Sequence, residues 1–120
     1  MIQITPQMRV LVAVVPADFR RGIDGLAQLC REALGSDPFS GTVFVFRNRR
    51  RTGLKVLVYD GQGFWLCYKR LSRGRFRWWP SGREAAVTSL QAHELTVLFW
   101  GGDPGATQAA PVWRRVDARV

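Results

Sequence analysis

Histidine is almost missing from this chain of 120 residues. His93 is the only one, so a histidine-based zinc site or a Cys–His nucleophile pair has little material. Cysteine is nearly as scarce. Cys30 and Cys67 are far apart and form no CxxC pair, which predicts two buried free thiols and a reducing compartment. No apolar run approaches the ~20 residues that span a bilayer. The opening MIQITPQMRV has no charged segment leading into an apolar one, so no signal peptide is expected and the reading is cytoplasmic. Basic and apolar residues are not segregated along one helix, which argues against a membrane-surface role. Acids are also few, nine against 18 lysines and arginines. Asp24, Asp60 and Glu94 do not form an acid pair or triad at a defensible spacing. A helix face, a turn start and a second helix account for them. No GxxxxGK[ST] loop and no Ser-His-Asp set occur. Composition thus points away from catalysis and asks for no cofactor or metal.

What is present is concentrated. Between residues 42 and 79 lie Arg47, Arg49, Arg50, Arg51, Lys55, Lys69, Arg70, Arg73, Arg75 and Arg77, with Asp60 as the one acid. That segment is +9, the net charge of the whole chain, because the two flanks each cancel. So local an excess implies a polyanionic partner, DNA most simply.

The patterning predicts one α+β domain over residues 1–102 in the order βαββββα, with residues 103–120 as a mobile or loosely docked tail. Residues 9–15 form a first strand. Asp18 N-caps a helix whose stripe runs Phe19, Ile23, Leu26, Ala27, Cys30, Ala33 and Leu34, and Gly35 ends it. β-rich runs at 42–46, 54–59, 64–71 and 75–79, joined by short Gly-, Asn- and Asp-containing breaks, predict an antiparallel meander covered by helices. Residues 87–99 form a second helix, with a capping box of Thr88 and Gln91 and a stop at Gly101-Gly102.

Four segments, DFRRGIDGLAQL, DPFSGTVFVFRNRRR, LKVLVYDGQGFWLCYKRL and RGRFRWWP, follow one another at tight spacing. Together they resemble the Orf2-like, or TnpB, accessory protein of bacterial insertion-sequence family sixty-six, from about residue 8 to residue 99. The unrelated RNA-guided nuclease that shares the label TnpB has no counterpart here. The resemblance implies a role in transposition beside a separate transposase that carries the acidic catalytic triad. Residues 81–86 and the tail diverge from the family pattern.

The ten basic residues are the candidate nucleic-acid contacts. Arginine's planar fork of donors fits phosphate oxygens in a bidentate way. Alternation on a fourth meander strand would put Arg75, Arg77 and Trp79 on one face, an open surface for phosphates and stacked bases. The rival reading is a protein-interaction module that docks the transposase through the same strip or through an edge strand.

Overall fold

A computed structural model describes residues 3–82 and 85–105. Its elements are β1 (Val10–Ala13), α1 (Ile23–Glu32), β2 (Val43–Arg47), β3 (Gly53–Tyr59), β4 (Phe64–Arg70), β5 (Val87–Leu90) and α2 (Ala92–Phe99). The strands form one sheet in the order β4-β3-β2-β1-β5. Every pairing is antiparallel except β1 with β2, where Val10 lies beside Val43 and Val12 beside Val45. A parallel pair needs a crossover, and α1 supplies it. The chain is therefore a single α+β domain with a mostly antiparallel sheet.

Both faces of the central strands are covered, which is why β1, β2 and β3 read as continuous apolar runs. On one face Leu11, Ala13, Phe44, Phe46 and Leu57 pack against Leu26, Ala27 and Cys30 of α1 and Leu34 beyond it. On the other, Val10, Val12, Val43, Val45, Leu54, Val56 and Val58 meet Leu95 and Leu98 of α2, together with Phe76 and Trp79. Phe44, Phe46 and Phe76 are fully buried. Each contributes about 2–3 kcal/mol by leaving water. Cys30 lies inside this packing and Cys67 is half-buried on β4; both are free thiols.

Four details differ from the sequence reading. The helix begins at Ile23, and Gly22 occupies its N-cap without a side-chain bond. Asp18 instead closes a turn, accepting from the Arg20 N–H at 2.9 Å and from the Arg20 guanidinium at 2.7–3.1 Å. Residues 75–79 are not a strand; they lie across the sheet face and complete its core. The fifth strand is Val87–Leu90, which pairs with β1, so the meander has only three strands and β1 is interior. Consequently α2 starts later. Its capping box is Gln91 with Glu94, the Gln91 N–H donating to Glu94 Oε1 at 2.7 Å.

Both helix stops are as expected. Gly35 has φ +62, and the following Ser36 N–H reaches the Cys30 carbonyl at 2.9 Å. Gly101 has φ +82, and the Gly102 N–H closes on the Val97 carbonyl at 2.9 Å, a Schellman end. Of the tail, residues 106–120 lie outside the described residues.

Candidate nucleic-acid interface

The arginine-rich turn between β2 and β3 is built by Asn48. Its side-chain oxygen accepts from the N–H groups of Thr52 at 2.9 Å and Gly53 at 3.1 Å, while its amide nitrogen donates to Thr52 Oγ1 at 2.8 Å. Arg51 takes up the left-handed conformation, φ +60, that closes the loop. Asparagine stitched in this way holds Arg49 and Arg50 out at the tip, and both are exposed.

The segment after β4 is tied to this same turn. The Leu71 N–H donates to the Thr52 carbonyl at 2.8 Å, and the Phe76 N–H to the Arg51 carbonyl at 2.8 Å. The Arg51 guanidinium returns a bond to the Arg77 carbonyl at 3.3 Å. Phe76 and Trp79 turn inward, Trp79 donating its indole N–H to the Ala13 carbonyl at 2.8 Å. Arg73, Arg75 and Arg77 are thereby left exposed beside the turn, and Arg70, paired in register with Gly53, joins them. Six exposed arginines from two separate stretches thus share one end of the sheet.

The other four predicted residues are engaged within the protein. Arg47 is half-buried and donates to the carbonyls of Asn48 at 3.2 Å and Arg49 at 3.4 Å. Burial, then the neighbouring charges of Arg51 and Arg49, push its pKa down. Arg51 holds the two stretches together. Lys55 is buried on the α1 side, donating to the carbonyls of Phe19 at 2.9 Å and Arg21 at 3.1 Å with its ammonium over the rings of Phe19 and Tyr68. Lys69 donates to the Phe99 carbonyl at the end of α2 and stacks on Trp100, 4.8 Å from the ring centre. A cation there complements the helix C-terminus.

Two cations invisible to the charge count stand nearby. The Ala17 N–H bonds the Arg47 carbonyl at 2.8 Å, which brings the β1–α1 loop against the turn. A cavity of about 430 Å³ lies between residues 16–20 and 48–50. Arg20 and Arg21 are exposed on that loop. Arg20 pairs with Asp18, whose carboxyl is held down to about 2 chiefly by the Arg20 side chain. No sequence signal marks these two, because local acids cancel them and only the folded backbone contact brings them close.

The expected open face of Arg75, Arg77 and Trp79 is not formed. Trp79 is core, and helix or chain covers both faces of the central strands. Exposed aromatics lie instead at Trp65 and Tyr68 on β4, at Phe39 before β2 and at Trp100 after α2. Of the acids, Asp24 is on α1 and Glu94 is buried in the capping box. Asp60 accepts from the N–H groups of Gln62 and Gly63 and from the Trp65 indole, each at 2.8 Å. Among the described residues no three His, Cys, Asp or Glu side chains are grouped to hold a metal, and no helix is long and apolar enough to cross a membrane.

The family described as IS66 Orf2 like protein matches residues 8–109. Two proteins of Sinorhizobium fredii are similar along most of their length. Uncharacterized protein y4jC is 37% identical over 107 residues, covering 89% of this chain and 90% of its own. Uncharacterized protein y4hO is 42% identical over 96 residues, covering 80% and 82%. No solved structure matches.

Proposed function

Because the chain belongs to the IS66 Orf2-like family of insertion-sequence proteins, we propose that it is a non-catalytic accessory protein of transposition that grips nucleic-acid phosphates with the arginine end of its sheet. One observation carries this reading. Arg49, Arg50, Arg70, Arg73, Arg75 and Arg77 are all exposed at one end of a rigid sheet, and none is paired with a carboxylate among the described residues.

Arginines mounted in this way suit phosphate oxygens. They do not suit base reading, which needs donors and acceptors in varied order along a groove. The cations whose donors are spent inside the protein, Lys55 above all, hold the mounting and touch no nucleic acid. DNA is the partner proposed, with the transposase of the same element acting alongside.

The test is binding of labelled duplex DNA over a series of salt concentrations, for an element end and for a random duplex, with transposase co-purification measured in parallel. Binding of both duplexes with steep salt dependence is expected. Exposed-arginine variants that lose the transposase and keep full DNA affinity would overturn the reading in favour of a protein-docking module.

A further inference from the structure

The free edge of the sheet is self-complementary. We propose that β4 pairs antiparallel with β4 of a second copy, about a two-fold axis at Cys67, to form a continuous sheet through a dimer. This inference does not depend on nucleic-acid binding.

Hydrogen-bond parity fixes which way each backbone group of the strand points. The Asp60 N–H bonds the Gly63 carbonyl, and the Leu71 N–H bonds the Thr52 carbonyl. With the unbroken register from Gly53↔Arg70 to Tyr59↔Phe64, these bonds aim the backbone groups of residues 65, 67 and 69 at β3. Those of Phe64, Leu66, Tyr68 and Arg70 point away from the sheet. β4 ends the strand order, and no described strand lies beyond it. Edges are ordinarily blunted by proline, a bulge, shortness or charged side chains, and β4 carries charge only at its end, at Lys69 and Arg70. This one has seven residues, no proline and no bulge, and it exposes 47% of Trp65 and 56% of Tyr68.

A two-fold at Cys67 satisfies every outward group. Phe64 pairs with Arg70 of the partner and Leu66 with Tyr68 of the partner, each pair exchanging two backbone bonds. Side chains match as well. Trp65 falls opposite Lys69 of the partner, extending the stack that Lys69 already makes on Trp100. Phe64 and Trp65 lie at one end of the strand and Lys69 and Arg70 at the other, so an antiparallel mate sets aromatic against cation at both ends. A shift of two residues in either direction strands outward groups and loses the Trp65–Lys69 match.

The two Cys67 residues then form a non-hydrogen-bonded pair, with Cα atoms about 4.5 Å apart. That is within disulfide reach. The full-length chain is examined by sedimentation and by mild oxidation with copper phenanthroline, which takes two electrons from the two thiols as their protons pass to solvent. A dimer is expected. Its covalent form should vanish in Cys67→Ser and persist in Cys30→Ser. Leu66→Pro removes an outward N–H together with a partly buried side chain that packs on the α1-side core, and should leave a folded monomer. Trp65→Lys, at an exposed position, sets like charges opposite each other twice and should weaken the dimer at least about tenfold. A wild-type monomer at the highest soluble concentration would overturn the proposal. So would a dimer that neither crosslinks through Cys67 nor responds to Trp65→Lys, or a monomer whose β4 edge is taken only by a foreign protein.

Discussion

Replacing Lys55 by methionine keeps most of the apolar stem and removes the ammonium. In the wild type that ammonium makes two bonds to backbone carbonyls, at 2.9 and 3.1 Å, under the rings of Phe19 and Tyr68. Hydrogen bonds to a charged group contribute ~1.5–3 kcal/mol each. The carbonyls of Phe19 and Arg21 belong to the loop before α1 and can regain water if that loop loosens, which offsets part of the loss. A net destabilisation of about 3 kcal/mol follows. At a urea slope of ~1.5 kcal/mol per molar, the unfolding midpoint should drop by about 2 M. Fluorescence-monitored urea unfolding reads this directly, and the β1–α1 loop should lose amide protection first. The salt dependence of DNA binding should be unchanged, because Lys55 is 8% exposed. A midpoint within about 0.3 M of wild type, in a folded variant, would refute the assignment of Lys55 as the anchor of that loop.

Trp79→Phe should cost about 1–2 kcal/mol in the same assay, because the Ala13 carbonyl loses its indole donor while the ring volume is largely kept. Asp60 has its pKa lowered, first by the backbone N–H groups of Gly63 and Gln62 and then by the Trp65 indole. It therefore binds fewer protons folded than unfolded, and its contribution is present above the unfolded value near ~4 and lost as pH falls through the folded one. The midpoint gap between wild type and Asp60→Asn should accordingly close as pH is lowered below about 4. Burial pushes the Cys30 thiol up to about 12. Thiol reagent at about pH 8 should label Cys67 first and reach Cys30 only on unfolding, as mass spectrometry of the labelled peptides would show.

The elements whose periodicity is backed by local chemistry were legible. The strands of the β2–β3–β4 meander are β-branched and aromatic runs between tight turns, and α1 carries an apolar stripe ending at a left-handed glycine. The failures have physical causes. Residues 75–77 alternate like a strand because Phe76 turns in between exposed Arg75 and Arg77, but the next inward residue is Trp79, both aromatics cover a sheet face and no neighbour offers a ladder. VTSL at 87–90 is too short to separate period 2 from helical spacing, and its partner β1 lies more than 70 residues earlier. Asp18 resembled an N-cap because aspartate closes turns and helix starts by the same bond to a nearby N–H. The charge count marked the arginine-rich stretch and could not sort its exposed cations from its engaged ones. Whether a cation is free depends on which carbonyls the fold brings near, as with Lys55 and residues 19–21, or Lys69 and Phe99.

On the proposed function the exposed arginines neutralise phosphates. Each phosphate contact contributes a slope of about −0.9 in log affinity against log salt on duplex DNA. Arg49→Ala with Arg50→Ala should therefore flatten the slope by about 1.8, and the triple change of Arg73, Arg75 and Arg77 to Ala by about 2.7. Because all five share one surface, the two effects should add when combined, and affinity should fall by the same factor on element-end and random duplexes. Folded variants that retain the wild-type slope, or that lose affinity for one sequence alone, would rule out sequence-independent phosphate neutralisation by these arginines.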